Sequence, residues 1–265
     1  MANSDIFGSI AVVFILGYLF YIIYYAFGVF QFNPFKKVVP LSKADIAFLE
    51  QKVFFYKQIS PIHRDKLNNR IAWFRSRKKY VFLGEVPNQH EIKLLLAATM
   101  AMLTLGFRQY KMLRSLLRII VYPSPYYSRI NKKHHLGEYN PRLSTLVFSA
   151  EHILTGYHIP DDNINLAVHE FAHALYFNSF SARSWESRKF RYGIRQISKL
   201  ITHEGFLKKV EESNYFRAYG LTNKQEFFAV MVESFMESPA TFKAQFPELY
   251  QLVKKMLNFN FYATP

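Results

Sequence analysis

The N-terminal part of the chain is one long apolar segment. No charged side chain occurs between Ile6 and Phe35, and the basic pair Lys36 and Lys37 follows at once. A helix needs about 20 apolar residues to cross the hydrocarbon core of a bilayer. A cleaved signal peptide would show a basic residue before the apolar core and a small-residue cleavage site after it, and neither pattern occurs here. The sequence therefore predicts a membrane anchor in residues 1–35 and a separate domain in residues 36–265.

In the rest of the chain, the pattern of apolar residues changes from helical to strand-like and then back to helical. Apolar positions recur at helical spacing in about residues 41–56, 60–77 and 88–105. Between about 116 and 154, β-branched and aromatic residues interrupted by prolines indicate strands, and helical spacing resumes after Pro160. The apolar stretch that begins within 88–105 has 16 residues, which favours a buried core helix over a second membrane span. Helices, a small sheet and further helices predict one mainly helical α+β domain.

Two histidines in the last region are spaced for one metal ion. His169, Glu170 and His173 form the pattern His-Glu-x-x-His, and residues four apart on a helix share a face. Two imidazoles on that face are typical zinc ligands, with the intervening glutamate as a general base. We expect Asp161 or Asp162 to cap this helix. The alternative is a pair of core histidines, but an accidental match is expected at only roughly 0.016 per chain of this composition.

A second helix is predicted in the sequence AYGLTNKQEFFAVMVESFMESP, residues 218–239. Thr222 is followed by Gln225 three positions later, which is the pattern of a capping box. We therefore expect a helix that starts near Asn223 and ends before Pro239.

This second helix carries the candidate for the third metal ligand. A catalytic zinc site has three protein ligands, and Glu226 lies in the first turn among apolar residues, where an unpaired carboxylate would be costly to bury. Glu233, seven residues later, would lie about 10 Å further along the axis. We predict Glu226 as the ligand, and Glu233 either as a residue that orients a histidine or as a salt-bridged surface residue.

The segments HEFAHAL (169–175) and YGLTNKQEFFAVMVESF (219–235) resemble the zinc peptidases of the Mlc titration factor A (MtfA) family, and more distantly the catalytic domain of anthrax lethal factor. The similarity extends to YPS (122–124) and ESPATFKAQFPELYQLV (237–253), so that it covers most of residues 41–258. The resemblance implies a zincin-like metallopeptidase domain with one Zn²⁺ ion, Glu226 as its third ligand, and Tyr219 facing the zinc.

The chain departs from that family in two places. Ala174-Leu175-Tyr176 replaces the Lys-Leu-Asp that usually follows the histidines, so no role of that aspartate is implied here. The N-terminal anchor also differs from the soluble MtfA type. The transcriptional repressor that is the partner there is therefore not implied for this chain.

These residues together predict a zinc peptidase. Zinc would activate a water molecule whose proton passes to Glu170, and Tyr219 would donate a hydrogen bond to the oxyanion, unless it is a packing tyrosine. We expect RLSTLVFSA (142–150) at a sheet edge, where an extended peptide or protein substrate adds as a strand. The alternative is a membrane-tethered regulatory module that sequesters a protein partner, such as a transcription regulator, around a structural zinc.

The distribution of charge predicts how the protein is oriented in the membrane. The net charge is +15, every basic residue follows the apolar segment, and of the 19 Asp and Glu only Asp5 precedes residue 36, so residues 36–265 carry +16. This bias predicts a single-pass protein with its N-terminus outside and its catalytic domain in the cytoplasm. The positive charge suits an anionic membrane surface or is simply solvated. We expect no nucleic-acid partner, because no binding motif accompanies the charge.

The remaining candidate ligands are weaker. The chain contains no cysteine, which excludes cysteine-ligated zinc and iron–sulfur sites. His134 and His135 lie in a basic polar stretch, and His203 has no partner at helical spacing. We expect these three histidines to be solvated.

Overall fold

The structure is a computed structural model that describes residues 2–26, 29, 33, 35–128, 132–159 and 161–263. The chain divides into two compact units, Met1–Lys37 and Val38–Pro265. The first unit holds helix α1 (Ala2–Ala26), whose segment Ile6–Ala26 is long and apolar enough to cross a membrane and has no buried residue. Parts of the predicted anchor at 1, 27–28, 30–32 and 34, together with Pro160, lie outside the described residues.

Helices make up most of the second unit. Their bounds are α2 (Lys43–Lys52), α3 (Phe54–Lys57), α4 (Pro61–Arg77), α5 (Gln89–Leu103), α6 (Ala150–His158), α7 (Leu166–Ser181), α8 (Trp185–Ile201), α9 (Glu204–Glu212), α10 (Lys224–Glu237), α11 (Pro239–Gln245) and α12 (Pro247–Met256), with a 3₁₀ turn at Ala218–Thr222. The helix expected over 41–56 is broken at Val53, whose extended backbone and fully buried side chain separate α2 from α3. Helix α5 is a buried core helix, as predicted.

Four strands form the sheet beneath these helices. They are β1 (Lys79–Phe82), β2 (Arg118–Tyr122), β5 (Gly137–Asn140) and β6 (Thr145–Ser149), in the order β1-β2-β6-β5. The first three in that order are parallel, and β5 runs antiparallel to β6. Strands β3 (Tyr126–Ser128) and β4 (Lys133–His135) form a separate antiparallel pair. The α+β class predicted from the sequence is confirmed.

The prediction for the sheet edge is wrong. Strand β6, which lies within the segment 142–150, pairs with β2 on one side and β5 on the other. Its residues are buried on both faces, as is typical of an interior strand. The strand also ends earlier than predicted, because α6 begins at Ala150. The edge next to the histidine helix is β5.

Helices α7 and α10 pack against each other, and α7 also lies against β5 and β6. The ring of Phe171 on α7 contacts Phe148 of β6 at a centroid distance of 5.8 Å. Phe228 of α10 contacts Tyr176 of α7 at 6.3 Å. These aromatic contacts hold α7 against β6 and α10 against α7, and so fix the two helices that carry the candidate ligands.

Candidate metal centre

Helix α7 starts three or four residues later than a cap at Asp162 or Asp161 would imply. Its N-cap is Asn165, whose side-chain oxygen accepts from the N–H of Val168 at 3.1 Å. Asp162 instead accepts from the N–H of Ile164 at 2.9 Å in the preceding turn. The expectation that Asp161 or Asp162 caps the helix is therefore wrong.

Tertiary contacts select Asn165 as the cap. Its backbone N–H donates to Oε1 of Glu233 at 2.9 Å, and its amide donates to the carbonyl of Gly156 and to Oε1 of Glu237, both at 3.0 Å. The sequence did carry a signal for this cap, since Asn165 directly precedes the apolar run that opens the helix.

Helix α10 is capped by Asn223, not by Thr222. The Asn223 side chain accepts from the N–H groups of Gln225 and Glu226 at 2.9 and 3.0 Å. The Thr222 hydroxyl donates to the carbonyl of Tyr219 at 2.8 Å, because Thr222 ends the 3₁₀ turn. The predicted capping box is wrong, although the predicted limits of the helix agree with the structure to within two residues.

The two helices bring His169, His173 and Glu226 together. Nε2 of His169 lies 3.2 Å from Nε2 of His173 and 3.0 Å from Oε2 of Glu226, and the same Oε2 lies 3.4 Å from Nε2 of His173. Tetrahedral ligands about 2.0–2.1 Å from a zinc ion are roughly 3.3–3.4 Å apart. The three atoms therefore have the spacing of three ligands that share one tetrahedral ion. Among the described residues, no other set of His, Asp and Glu side chains forms such a group.

Glu233 determines which nitrogen of His169 faces the cluster. Its Oε2 lies 2.9 Å from Nδ1 of His169, and it also forms an ion pair with Arg217. Because a carboxylate only accepts, Nδ1 donates to Glu233, and Nε2 is the nitrogen that faces Glu226 and His173. Glu233 is 1% exposed, so the surface interpretation of this residue is wrong. Arg217 was not identified from the sequence, where nothing marks it out.

The electrostatics of the cluster favour a cation. Burial by itself lowers the pKa of His169, but the carboxylates of Glu226 and Glu233 raise it to about 10. Burial raises the pKa of Glu226, yet its hydrogen bonds with both histidines hold it well below its usual value. The acidic surroundings stabilise positive charge at the position between the three side chains, which suits a divalent metal ion.

Glu170 lies beside this cluster and against the edge strand. It is 7% exposed, and burial raises the pKa of its carboxyl group. A Cβ atom built on Gly137 of β5 would lie 2.9 Å from Cγ of Glu170 and 2.7 Å from Cδ1 of Leu166. A larger residue here would require Leu166 and Glu170 to shift, so the glycine permits this close approach of strand and helix. Gly137 is a second residue that the sequence did not reveal.

Tyr219 lies at the rim of the cluster. Its ring centroid is 6.5 Å from that of His169, and 57% of the residue is exposed. Partial burial and the neighbouring Glu226 carboxylate raise the pKa of its hydroxyl group. The side chain is therefore both near the cluster and accessible from the solvent side.

The other histidines lie elsewhere. His134 and His135 belong to β4, where their rings contact Tyr127 and Tyr126. His203 is the N-cap residue of α9. None of the three belongs to the ligand group.

Two helices of a mainly helical domain with a small sheet thus bring a His-His-Glu set together, an arrangement that can hold a catalytic metal ion. The chain is a member of the glucose-regulated metallo-peptidase M90 family, whose model matches residues 35–258. This membership implies a metal cofactor and confirms the family resemblance read from the motifs.

Two relatives are similar to the chain over most of its length. The chain is 27% identical over 223 residues to the Synechocystis protein named Uncharacterized protein slr2042, covering 79% of this chain and 81% of that one. It is 26% identical over 215 residues to Mlc titration factor A of Klebsiella pneumoniae, covering 73% of this chain and 78% of that one.

Proposed function

We propose that this protein is a membrane-anchored, zinc-dependent peptidase with a single zinc ion held by His169, His173 and Glu226. The observation that carries the proposal is the triangle of two Nε2 atoms and one carboxylate oxygen, with sides of 3.0–3.4 Å. Nitrogen and oxygen donors at this spacing suit zinc in a tetrahedral site. Membership of a metallopeptidase family supports peptide or protein substrates.

The residues around the ligands have complementary roles in this proposal. When bound, zinc polarises the scissile carbonyl and lowers the pKa of a water molecule. Glu170 accepts the proton of the attacking water and delivers it to the leaving amine. Tyr219 donates its hydroxyl hydrogen to the oxyanion that develops on the carbonyl oxygen. Glu233 keeps the proton on Nδ1 of His169 and so holds the imidazole in its ligand orientation.

The edge strand β5 provides a place for the substrate. Its pairing with β6 leaves the other side of the strand without a described partner, and its first residue, Gly137, lies against Glu170. An extended peptide that adds to this edge would pass beside the base. This assigns to β5 the substrate role that the sequence suggested for β6.

The predicted anchor also indicates where the protein is located in the cell. We propose that residues 1–35 hold the protein in a membrane and that residues 36–265 form the zincin-like peptidase domain on the cytoplasmic side. The apolar helix α1 and the exclusive placement of Lys and Arg after it support this orientation.

A second candidate function is the binding of a protein regulator. It is favoured by one relative, which is named for titrating Mlc. In this alternative the domain captures a partner and the zinc is structural. A binding module does not need a general base, so substitution of Glu170 distinguishes the peptidase from the binding module.

The test uses the full-length protein in detergent. Metal analysis is combined with cleavage of internally quenched peptides, before and after chelation and zinc addition. We expect about one zinc per chain, loss of cleavage with chelator and recovery with zinc. Glu170→Gln retains zinc and loses cleavage by on the order of 10²–10⁴-fold, whereas Glu226→Gln loses zinc.

The exposed Glu211→Gln is the matched control and keeps both properties. Cleavage that survives chelation or the Glu170 substitution contradicts the peptidase proposal. A partner captured equally well by the Glu170→Gln protein, with no turnover by the unmodified protein, supports the binding module.

A further inference from the structure

A cavity of about 950 Å³ lies next to the candidate metal centre, beyond the C-terminal half of α7. Leu175 and Phe177, two and four residues after the ligand His173, line it, so these two positions lie roughly 3 and 6 Å further along the helix axis. Tyr139 of β5 also lines it, and its ring lies 5.7 Å from that of Phe177. The cavity is therefore bounded by the helix that carries the two histidines and by the strand that lies against Glu170.

Strand β5 runs from the proposed base toward this cavity. Gly137 lies against Glu170, Tyr139 lies against Phe177, and Pro141 lines the cavity. Four strand residues span about 13 Å. A peptide extended along the free edge of β5 would therefore have its cleaved bond near Gly137 and a residue three to five positions away at the cavity.

The lining of the cavity is basic. Its charged side chains are Arg108, Lys111, Arg114 and Arg183, against the single carboxylate of Glu186. The ammonium group of Lys111 lies over the ring of Trp73 at 5.4 Å. No carboxylate in the described parts of the chain forms an ion pair with any of the three arginines.

Positive groups around the cavity interact with the one carboxylate in its lining, Glu186, and with the negative end of helix α7. Glu186 accepts from the N–H of Arg108 at 3.2 Å. Its burial raises its pKa, but hydrogen bonds and the charge of Arg108 lower it below its usual value. The negative end of the α7 dipole is offset by Arg191, which donates to the carbonyls of Ser179 and Ala182.

The direction of the substrate follows from the pairing geometry. Antiparallel strand pairs outnumber parallel ones roughly two- to three-fold. An antiparallel substrate on β5 runs opposite to the direction from Gly137 to Pro141. The residues on the N-terminal side of its cleaved bond then extend toward the cavity.

We propose that this cavity is a subsite for acidic side chains, and that the enzyme prefers peptides with Asp or Glu three to five residues before the cleaved bond. The proposal rests on the peptidase function proposed above and names the substrate class of that same site. Arg114 and Arg183 are the specificity-determining residues, since both line the cavity and both have exposed, unpaired guanidinium groups among the described residues.

The test compares three otherwise identical quenched peptides. They carry two Glu, two Gln or two Lys at the fourth and fifth positions before the cleaved bond. We expect kcat/KM for the Glu peptide to exceed that for the Gln peptide by on the order of tenfold at low salt, and to approach it at about 0.5 M salt. The Lys peptide is cleaved most slowly.

Charge reversal tests the residues. In Arg114→Glu/Arg183→Glu the ratio of Glu-peptide to Gln-peptide cleavage falls to about one or below, and in Arg114→Gln/Arg183→Gln it is intermediate. The matched control, Arg188→Glu/Arg195→Glu, makes the same charge change on exposed positions of α8 outside the cavity and keeps the wild-type ratio. Thermal unfolding of each variant establishes that it is folded.

A binding measurement tests the subsite independently of the peptidase function. Fluorescence anisotropy measures the affinity of the same peptides for the Glu170→Gln protein, in which turnover is removed. Preferential binding of the Glu peptide that is lost in the Arg114/Arg183 background supports the subsite even when the unmodified protein cleaves nothing. The proposal is overturned if the Glu170→Gln protein binds the three peptides with equal affinity. It is also overturned if the ratio of Glu-peptide to Gln-peptide cleavage is the same in Arg114→Glu/Arg183→Glu as in Arg188→Glu/Arg195→Glu, or if acidic residues are preferred after the cleaved bond.

Discussion

At the scale of single residues, the spacing between β5 and α7 depends on the lack of a side chain at Gly137. A Cβ at this position would lie 2.7 Å from Leu166 and 2.9 Å from Glu170, closer than atoms in proteins pack. The strand and the base would have to move apart. The atoms nearest to such a Cβ belong to Leu166 and Glu170, and none of them belongs to a candidate metal ligand.

We therefore predict that Gly137→Ala lowers kcat while zinc content stays near one per chain. A displacement of about 1 Å at a catalytic group costs on the order of 10²-fold in rate. Peptide cleavage and metal analysis on the same preparation measure both quantities. Gly205→Ala in the exposed first turn of α9 has no neighbour closer than 3.7 Å and is the control. Unchanged kcat for Gly137→Ala contradicts the proposed position of the base.

Glu233 provides a second residue-level prediction, this time for metal affinity. Glu233→Gln replaces the carboxylate that accepts from Nδ1 of His169 by a neutral and weaker acceptor, and mutation of such a partner typically weakens metal binding about 10–100-fold. Competition with a fluorescent zinc chelator measures the dissociation constant. Equal affinities for Glu233→Gln and wild type contradict the positioning role.

Glu237→Gln is the matched control for this measurement. Glu237 lies one turn further along α10 and is also buried. Burial raises its pKa to about 8, so that near pH 7 the group is mostly neutral and glutamine resembles it closely. We expect the zinc affinity of this variant to remain close to that of wild type.

At the scale of secondary-structure elements, the cap of α10 links helix stability to the ligand Glu226. Asn223 accepts from the N–H of Glu226 itself at 3.0 Å, so the cap holds the first turn that carries the ligand. Thr222 makes no such bond. The two neighbouring positions thus allow a direct comparison.

We predict that Asn223→Ala lowers the free energy of unfolding by about 1 kcal/mol and weakens zinc binding, because the turn that carries Glu226 frays. Thr222→Ala is expected to change both quantities less. Chemical denaturation of the chelated protein and zinc competition measure the two effects separately. A larger effect of Thr222→Ala than of Asn223→Ala would restore the capping box predicted from the sequence.

The elements also explain which parts of the site could be predicted from the sequence. The His-Glu-x-x-His spacing and the apolar run after Glu226 depend on local periodicity, and the structure has helices there. Helix starts depend on tertiary contacts, such as those of Asn165 with Glu233 and Glu237. Local sequence patterns do not contain that information.

The order of the strands in the sheet could likewise not be predicted from local sequence patterns. The apolar segment of β6 predicts a strand but not its neighbours. The edge strand β5 has the sequence Gly-Glu-Tyr-Asn, in which three of four residue types are depleted in strands. Its extended backbone is determined by pairing with β6, and therefore only the structure could identify it as the strand beside the base.

At the scale of the whole molecule, charge and hydropathy together predict the topology. Every Lys and Arg follows the apolar segment that contains α1, and the domain after it carries +16. Basic residues close to a membrane span are retained on the cytoplasmic side. The short N-terminal tail, which has no basic residue, is then the part that crosses.

The absence of cysteine from the chain allows this topology to be tested with single introduced thiols. We predict that Asn3→Cys reacts with a membrane-impermeant maleimide in intact cells, because the proposed orientation puts residue 3 on the outer side. Lys199→Cys, at an exposed position of α8, should react only after permeabilisation, because the same orientation puts the domain in the cytoplasm. Wild type, which has no thiol, is the background control, and peptide cleavage by each variant establishes that the domain is intact. Labelling of Lys199→Cys in intact cells, with Asn3→Cys protected, would reverse the orientation and put the proposed peptidase on the outer face of the membrane.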